Sequence, residues 1–219
     1  MLQSAIDSVL VLAVLLNLAM LATSRMAACI RTFALQSLLL ALLPIAIGLR
    51  HEEVPGAHIF AIAAGAAGLK VFLIPWVLLR VLRTGEIHRE IEPFVGFTAS
   101  VMIGALIIVA SFAFAKRMPL PTEAPTDLLI PVSIATLFNG LLIMVSRVKA
   151  ITQVLGYLVV ENGIFVFGLL LIEQTPVLVE LGILLDLFVG VFIMGIVVFH
   201  INREFDSMSA DNLAELREP

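Results

Sequence analysis

Residues 152–172, TQVLGYLVVENGIFVFGLLLI, and residues 177–199, VLVELGILLDLFVGVFIMGIVVF, are two apolar segments joined by the four-residue link Glu173-Gln174-Thr175-Pro176. Each is long enough to cross a bilayer as a helix, which takes about 20 residues. Each also carries an acid near its centre, Glu161 in the first and Asp186 in the second. A carboxylate in the hydrocarbon core costs about 2.5–3.5 kcal/mol even on the lenient insertion scale, so it normally has a partner, a wet cavity or protons to handle. The rest of the chain reads as what surrounds these two acids.

Working outward, composition fixes the class. The chain is 61% hydrophobic and 14% charged, with mean hydropathy +1.11. A soluble domain is nearer one half apolar, so this is an integral membrane protein. Its apolar residues come in long runs, not in alternation. That pattern predicts an all-α bundle and argues against an outer-membrane barrel. The lone cysteine, Cys29, allows neither a disulfide framework nor a cysteine-ligated cluster.

Five further apolar segments, 2–22, 32–49, 59–82, 94–115 and 128–145, bring the predicted transmembrane helices to seven. Asp7, near the end of the first segment, can reach the headgroup layer. The third segment opens with the small residues Ala61, Ala64, Gly65 and Gly68, spaced for close approach of another helix. Lys70 then falls at its midpoint. Pro75, just beyond, leaves a backbone carbonyl about a turn earlier without its helical donor. The stretch 116–131 contains four prolines and divides the chain into 1–118, a four-helix region, and 119–201, a three-helix region, followed by a polar tail at 202–219. On the sixth segment Tyr157, Glu161, Phe165 and Gly168 share a helix face, and on the seventh Gly182, Asp186 and Gly190 do.

Seven crossings place Arg25, Arg31, Arg80, Arg83, Arg89, Arg147, Lys149, Arg203 and Arg217 on one side and only Arg50, Lys116 and Arg117 on the other. The excess of basic residues marks the cytoplasmic side, so the N-terminus is predicted outside and the C-terminus in the cytoplasm. Helix rise fixes depth in the same way. At 1.5 Å per residue, Lys70, Glu161 and Asp186 each lie within about 3 Å of the midpoint of their segments. Three ionisable groups at one level suit a horizontal row of proton-transfer stations, because burial disfavours the charged form of acid and amine alike. The plainer reading is that Lys70 neutralises one acid as a packing device, which leaves the second carboxyl over.

Gly156-Tyr157-Leu158-Val159-Val160-Glu161-Asn162-Gly163 and Ile183-Leu184-Leu185-Asp186-Leu187-Phe188-Val189-Gly190 resemble the membrane subunit called hydrogenase-4 component E, of the formate-hydrogenlyase type. The last three helices, from about residue 128 onward, are similar to the three-helix K subunit of respiratory complex I and to the C subunit of multisubunit cation/proton antiporters. In the K subunit two helices each carry a mid-membrane glutamate, in the chain of charged groups linking quinone chemistry to proton pumping. Asp186 matches the second of these, with aspartate in place of glutamate. Glu161 is displaced by about one turn from the first, where this chain has Leu158. Lys70 has no counterpart in a three-helix subunit.

The resemblance implies a subunit of an oxidoreductase complex with no active site and no cofactor of its own, in a prokaryotic inner membrane. It implies antiporter-like and other membrane-arm subunits as partners, with lipid around them and a cytoplasmic redox arm; nothing points to nucleic acid. Two other functions stay open, a purely structural membrane-arm subunit and a subunit of a cation/proton antiporter. A self-contained transporter is disfavoured by the lack of a repeat between the halves. None of His51, His58, His88 or His200 is mid-membrane, so paired haem ligands are missing.

Overall fold

A computed structural model describes residues 2–50, 68–84, 93–118 and 126–170. The described residues are all helical or connecting. They form α1 (Leu2–Ala22), α2 (Met26–Ala41), α3 (Leu43–Arg50), a π-helical turn (Leu69–Leu73) running into α4 (Ile74–Thr84), α5 (Phe97–Ala115), α6 (Leu129–Ser146) and α7 (Ala150–Gly168). Five helical stretches, Gln3–Ala22, Met26–Gly48, Phe97–Ala115, Leu129–Ser146 and Ile151–Gly168, are long and apolar enough to cross a membrane. They coincide with the first, second, fourth, fifth and sixth expected spans. The third is described only from Gly68 onward, and the seventh lies outside the described residues, as does Asp186.

The boundaries move where a charge or a proline misleads a hydropathy reading. The second span begins at Met26 rather than Thr32, and Arg31 sits inside the helix on its exposed side. A long basic side chain can stay on a helix while its head reaches out of the apolar layer. The same span is kinked at Leu42, whose N–H bonds Leu39 O at 3.3 Å. Pro44, two residues on, has no N–H to continue the ladder. Around Pro75 the backbone widens instead, and Ile74 N–H reaches back five residues to Leu69 O. The expected loosening therefore takes the form of a π-helical turn, and Lys70 is on it.

Helix α5 displays the logic of a membrane span. Ser100, Gly104, Ser111 and Ala115 are buried against the bundle, while Met102, Leu106, Val109 and Phe114 face outward. Lipid is as apolar as leucine, so burying large side chains gains little. Small residues that let backbones approach gain dispersion contacts instead. The closest approach is α6 against α7. A Cβ built on Gly140 would lie 2.6 Å from Val160 N, one on Gly156 2.7 Å from Met144 N, and one on Gly163 2.7 Å from Leu137 N. By contrast, no described residue lies within 4 Å of a Cβ at Gly68. Close packing of the 61–68 run is thus not seen at its one described member.

Among the described residues the core has two apolar layers. One gathers Met20, Leu21, Ile30, Phe33, Leu78 and Leu158 with their neighbours; the other gathers Ile6, Leu10, Leu43, Leu129, Val132 and Val166. Helix ends order the bundle. At one end Arg147 Nη2 donates to Leu21 O at 2.7 Å, and its guanidinium stacks 4.4 Å from the centroid of Phe97. The C-end of α1, the N-end of α5 and the C-end of α6 therefore meet, as alternating crossings require. Although counted above with the loop cations, Arg147 is only 1% exposed. At the opposite end Thr126 Oγ1 donates to Asp7 Oδ1 at 2.6 Å, and Asp7 stays half-buried near the end of its helix.

Candidate functional site

Between the two apolar layers lies a polar one. Lys70 Nζ is 3.6 Å from Glu161 Oε2, with side-chain exposures of 12% and 8%. Two residues 91 positions apart, which the sequence places at one depth, are thus brought together laterally. The pairing is the one the plainer reading allowed for one of the two acids. Whether Asp186 joins them is outside the described residues.

Local structure positions both partners. Glu161 falls between two glycines of α7, Gly156 and Gly163, which draw that helix against α6. Its neighbours on the same face, Tyr157, Phe165 and Gly168, are half-buried, so this is the side of α7 left for the third span. Lys70 comes from the π-helical turn. A π segment inserts one residue into the helical register and is frequent at functional sites.

Asn162, the residue after Glu161, opens a row of buried neutral groups. Its Nδ2 donates to Gln36 Oε1 at 3.4 Å and to Ser37 Oγ at 3.1 Å. Gln36 Nε2 donates to Asn17 Oδ1 at 2.8 Å and to Ala13 O at 3.0 Å. Asn17 Nδ2 in turn donates to Thr136 Oγ1 at 3.0 Å. The direction of this row is chemically fixed. Ala13 O is a backbone carbonyl and can only accept, so the group facing it must be the Gln36 amide nitrogen. Gln36 Oε1 is then left for Asn162, and Asn17 must turn its oxygen to Gln36 and its nitrogen to Thr136. Four elements, α7, α2, α1 and α6, are thereby tied at one level, with every step a donor pointing the same way.

Hydropathy assigns no role to Asn17, Gln36, Thr136, Asn139 or Asn162. A depth signal existed for most of them. Gln36, Thr136 and Asn139 lie within about 3 Å of the midpoints of Met26–Gly48 and Leu129–Ser146 at 1.5 Å per residue. Asn17 is more than a turn from the middle of α1, so depth alone would have missed it. Among the described residues no three His, Cys, Asp or Glu side chains gather as a metal site.

What these described side chains offer is proton and dipole chemistry. A lysine ammonium and a glutamate carboxylate 3.6 Å apart place a proton donor beside a proton acceptor. The neutral row cannot carry charge itself, but it holds Asn162 rigidly beside the pair.

Comparison with known proteins finds distant relatives. Over 192 residues the chain is 29% identical to an uncharacterized protein, Rv0085, of Mycobacterium tuberculosis, covering 87% of this chain and 86% of that one. Over 155 residues it is 26% identical to hydrogenase-4 component E of Escherichia coli K12, covering 71% of this chain and 72% of that one. The component E of Shigella flexneri gives the same figures. No protein-family model matches the chain, and no solved structure matches it.

Proposed function

We propose that this chain is a non-catalytic membrane subunit of a hydrogenase-like oxidoreductase complex, in which Lys70, Glu161 and Asp186 are mid-membrane stations for protons moved in step with electron transfer. The observation that carries the reading is the Lys70–Glu161 pair, buried in a polar layer between apolar ones. The distant similarity to hydrogenase-4 component E supplies the kind of assembly. Electrons would be handled by other subunits of a prokaryotic inner-membrane complex, among them antiporter-like membrane subunits and a cytoplasmic redox arm.

The mechanism follows from charge. Reduction elsewhere in the complex changes the field on the membrane arm. The Lys70–Glu161 pair answers by taking up or releasing a proton, because its two protonation partners are close and shielded from water. Asp186, at the same depth by sequence, is the next acceptor or donor in the row. An isolated ion in the membrane would be trapped by its own desolvation penalty. A pair whose charge can be cancelled internally is not.

A structural reading has its own support in the same distance, since a neutralised pair also fixes helix packing. Glu161→Gln and Asp186→Asn in the native membrane separate the two. Both substitutions preserve size and hydrogen bonding while removing the titratable proton. The expected result is normal assembly and continued electron transfer, with fewer protons moved per electron. Unchanged proton movement in both variants, or failure of the complex to assemble, would make the acids structural.

A further inference from the structure

One buried group stands out from the row. Asn139, on α6 three residues after Thr136, is 0% exposed, and among the described residues neither its Oδ1 nor its Nδ2 has a hydrogen-bond partner. A primary amide left unsatisfied in an apolar interior costs more than almost any packing it could supply. Its surroundings are specific. A Cβ at Gly104 of α5 would lie 2.8 Å from Asn139 Oδ1 and 2.5 Å from Leu21 Cδ1 of α1. The missing methyl of Gly104 is what gives the amide its place between α1, α5 and α6.

The donors and acceptors there do not suit an ion. Thr136, one turn earlier on α6 and so on the same helix face, accepts from Asn17 and keeps its hydroxyl hydrogen to donate. Asn139 adds one acceptor oxygen and an NH2 donor. A cation would meet one amide oxygen with N–H groups beside it, and an anion would meet no positive charge. A molecule that both donates and accepts fits, and an internal water needs two to four such partners. We propose that Asn139 and Thr136 hold an internal water between α1, α5 and α6, which extends the neutral row from Asn162 to the Gly104 face of α5. The site does not depend on the proton-transfer reading above. It would bind water even if no proton ever moved through the pair.

Hydroxyl-radical footprinting of the full chain in a lipid nanodisc tests it, with radicals generated from the water already inside the protein. Leu21 and Leu10 lie on the same helix and both are 0% exposed. Leu10 packs in an apolar layer of the described residues, whereas Leu21 lies against Gly104 beside the Asn139 amide. The expected result is labelling of Leu21 several-fold faster than Leu10, with the excess lost in Asn139→Leu and in Thr136→Val. Equal labelling of the two leucines in the unmodified protein would overturn the site, and so would an excess that survives both substitutions. Should one variant fail to fold, the other and the unmodified comparison still decide.

Discussion

Lys70→Met should lower the stability of the folded chain by about 3–5 kcal/mol, the range for removing one partner of a buried ion pair. Much of that loss should return in the double variant Lys70→Met/Glu161→Leu. Methionine keeps the length and apolar stem of lysine, so the packing of the π-helical turn changes little. What it removes is the cation 3.6 Å from Glu161 Oε2. The carboxylate must then either stay charged in a low-dielectric layer or hold a proton permanently. The double variant exchanges both ions for apolar groups, and such exchanges are often neutral. Thermal unfolding of the four proteins of this cycle, in one detergent at one pH, gives the coupling energy directly. Additive losses would mean that the two side chains do not sense each other.

The other large effect is expected at Gly156. Gly156→Ala should cost about 1–3 kcal/mol or more, as overpacking does, and Gly156→Leu should yield no folded protein. The reason is the identity of the opposing atoms. A Cβ at 156 meets Met144 N at 2.7 Å and Gly140 O at 2.9 Å, both backbone, and cannot push them aside as it could a flexible side chain. Helix α6 would have to retreat from α7, loosening the Asn17–Thr136 bond on the other side of α6 as it moved. Gly168 is the control on the same helix, since no described residue lies within 4 Å of a Cβ there. Gly168→Ala should leave the melting temperature in detergent unchanged. An equal effect of the two alanines would deny that α6 and α7 meet through Gly156.

How far the sequence could be read depended on which coordinate a feature occupies. Depth was legible, because helical rise converts residue number into height. Lys70 and Glu161 were placed at one level by counting, and the structure puts them in contact. Azimuth was not. Nothing in the sequence said that Asn162 would turn to Gln36 on α2 while its neighbour Glu161 turned to Lys70, since that is set by the glycines that press α7 onto α6. Hydropathy was legible in bulk and misleading at single residues. It started the second span only after Arg31, which lies inside the helix, and sent Arg147 to a loop, where it is in fact buried across the ends of three helices. Neutral polar side chains were the blind spot. Gln36, Thr136 and Asn139 carry no charge to draw attention in an apolar segment, yet in a bilayer a buried polar group calls for a partner and so marks where helices join.

Difference infrared spectroscopy of the complex, oxidised against reduced, tests the central claim most directly, because a protonated carboxyl has a C=O stretch set apart from the amide bands. A carboxyl band that changes with reduction and disappears in Glu161→Gln is the predicted result, with Glu161 gaining or losing its proton as electrons move. A reduction difference spectrum identical in the unmodified and Glu161→Gln complexes, while protons are still translocated, would contradict it and leave the Lys70–Glu161 pair as a packing device.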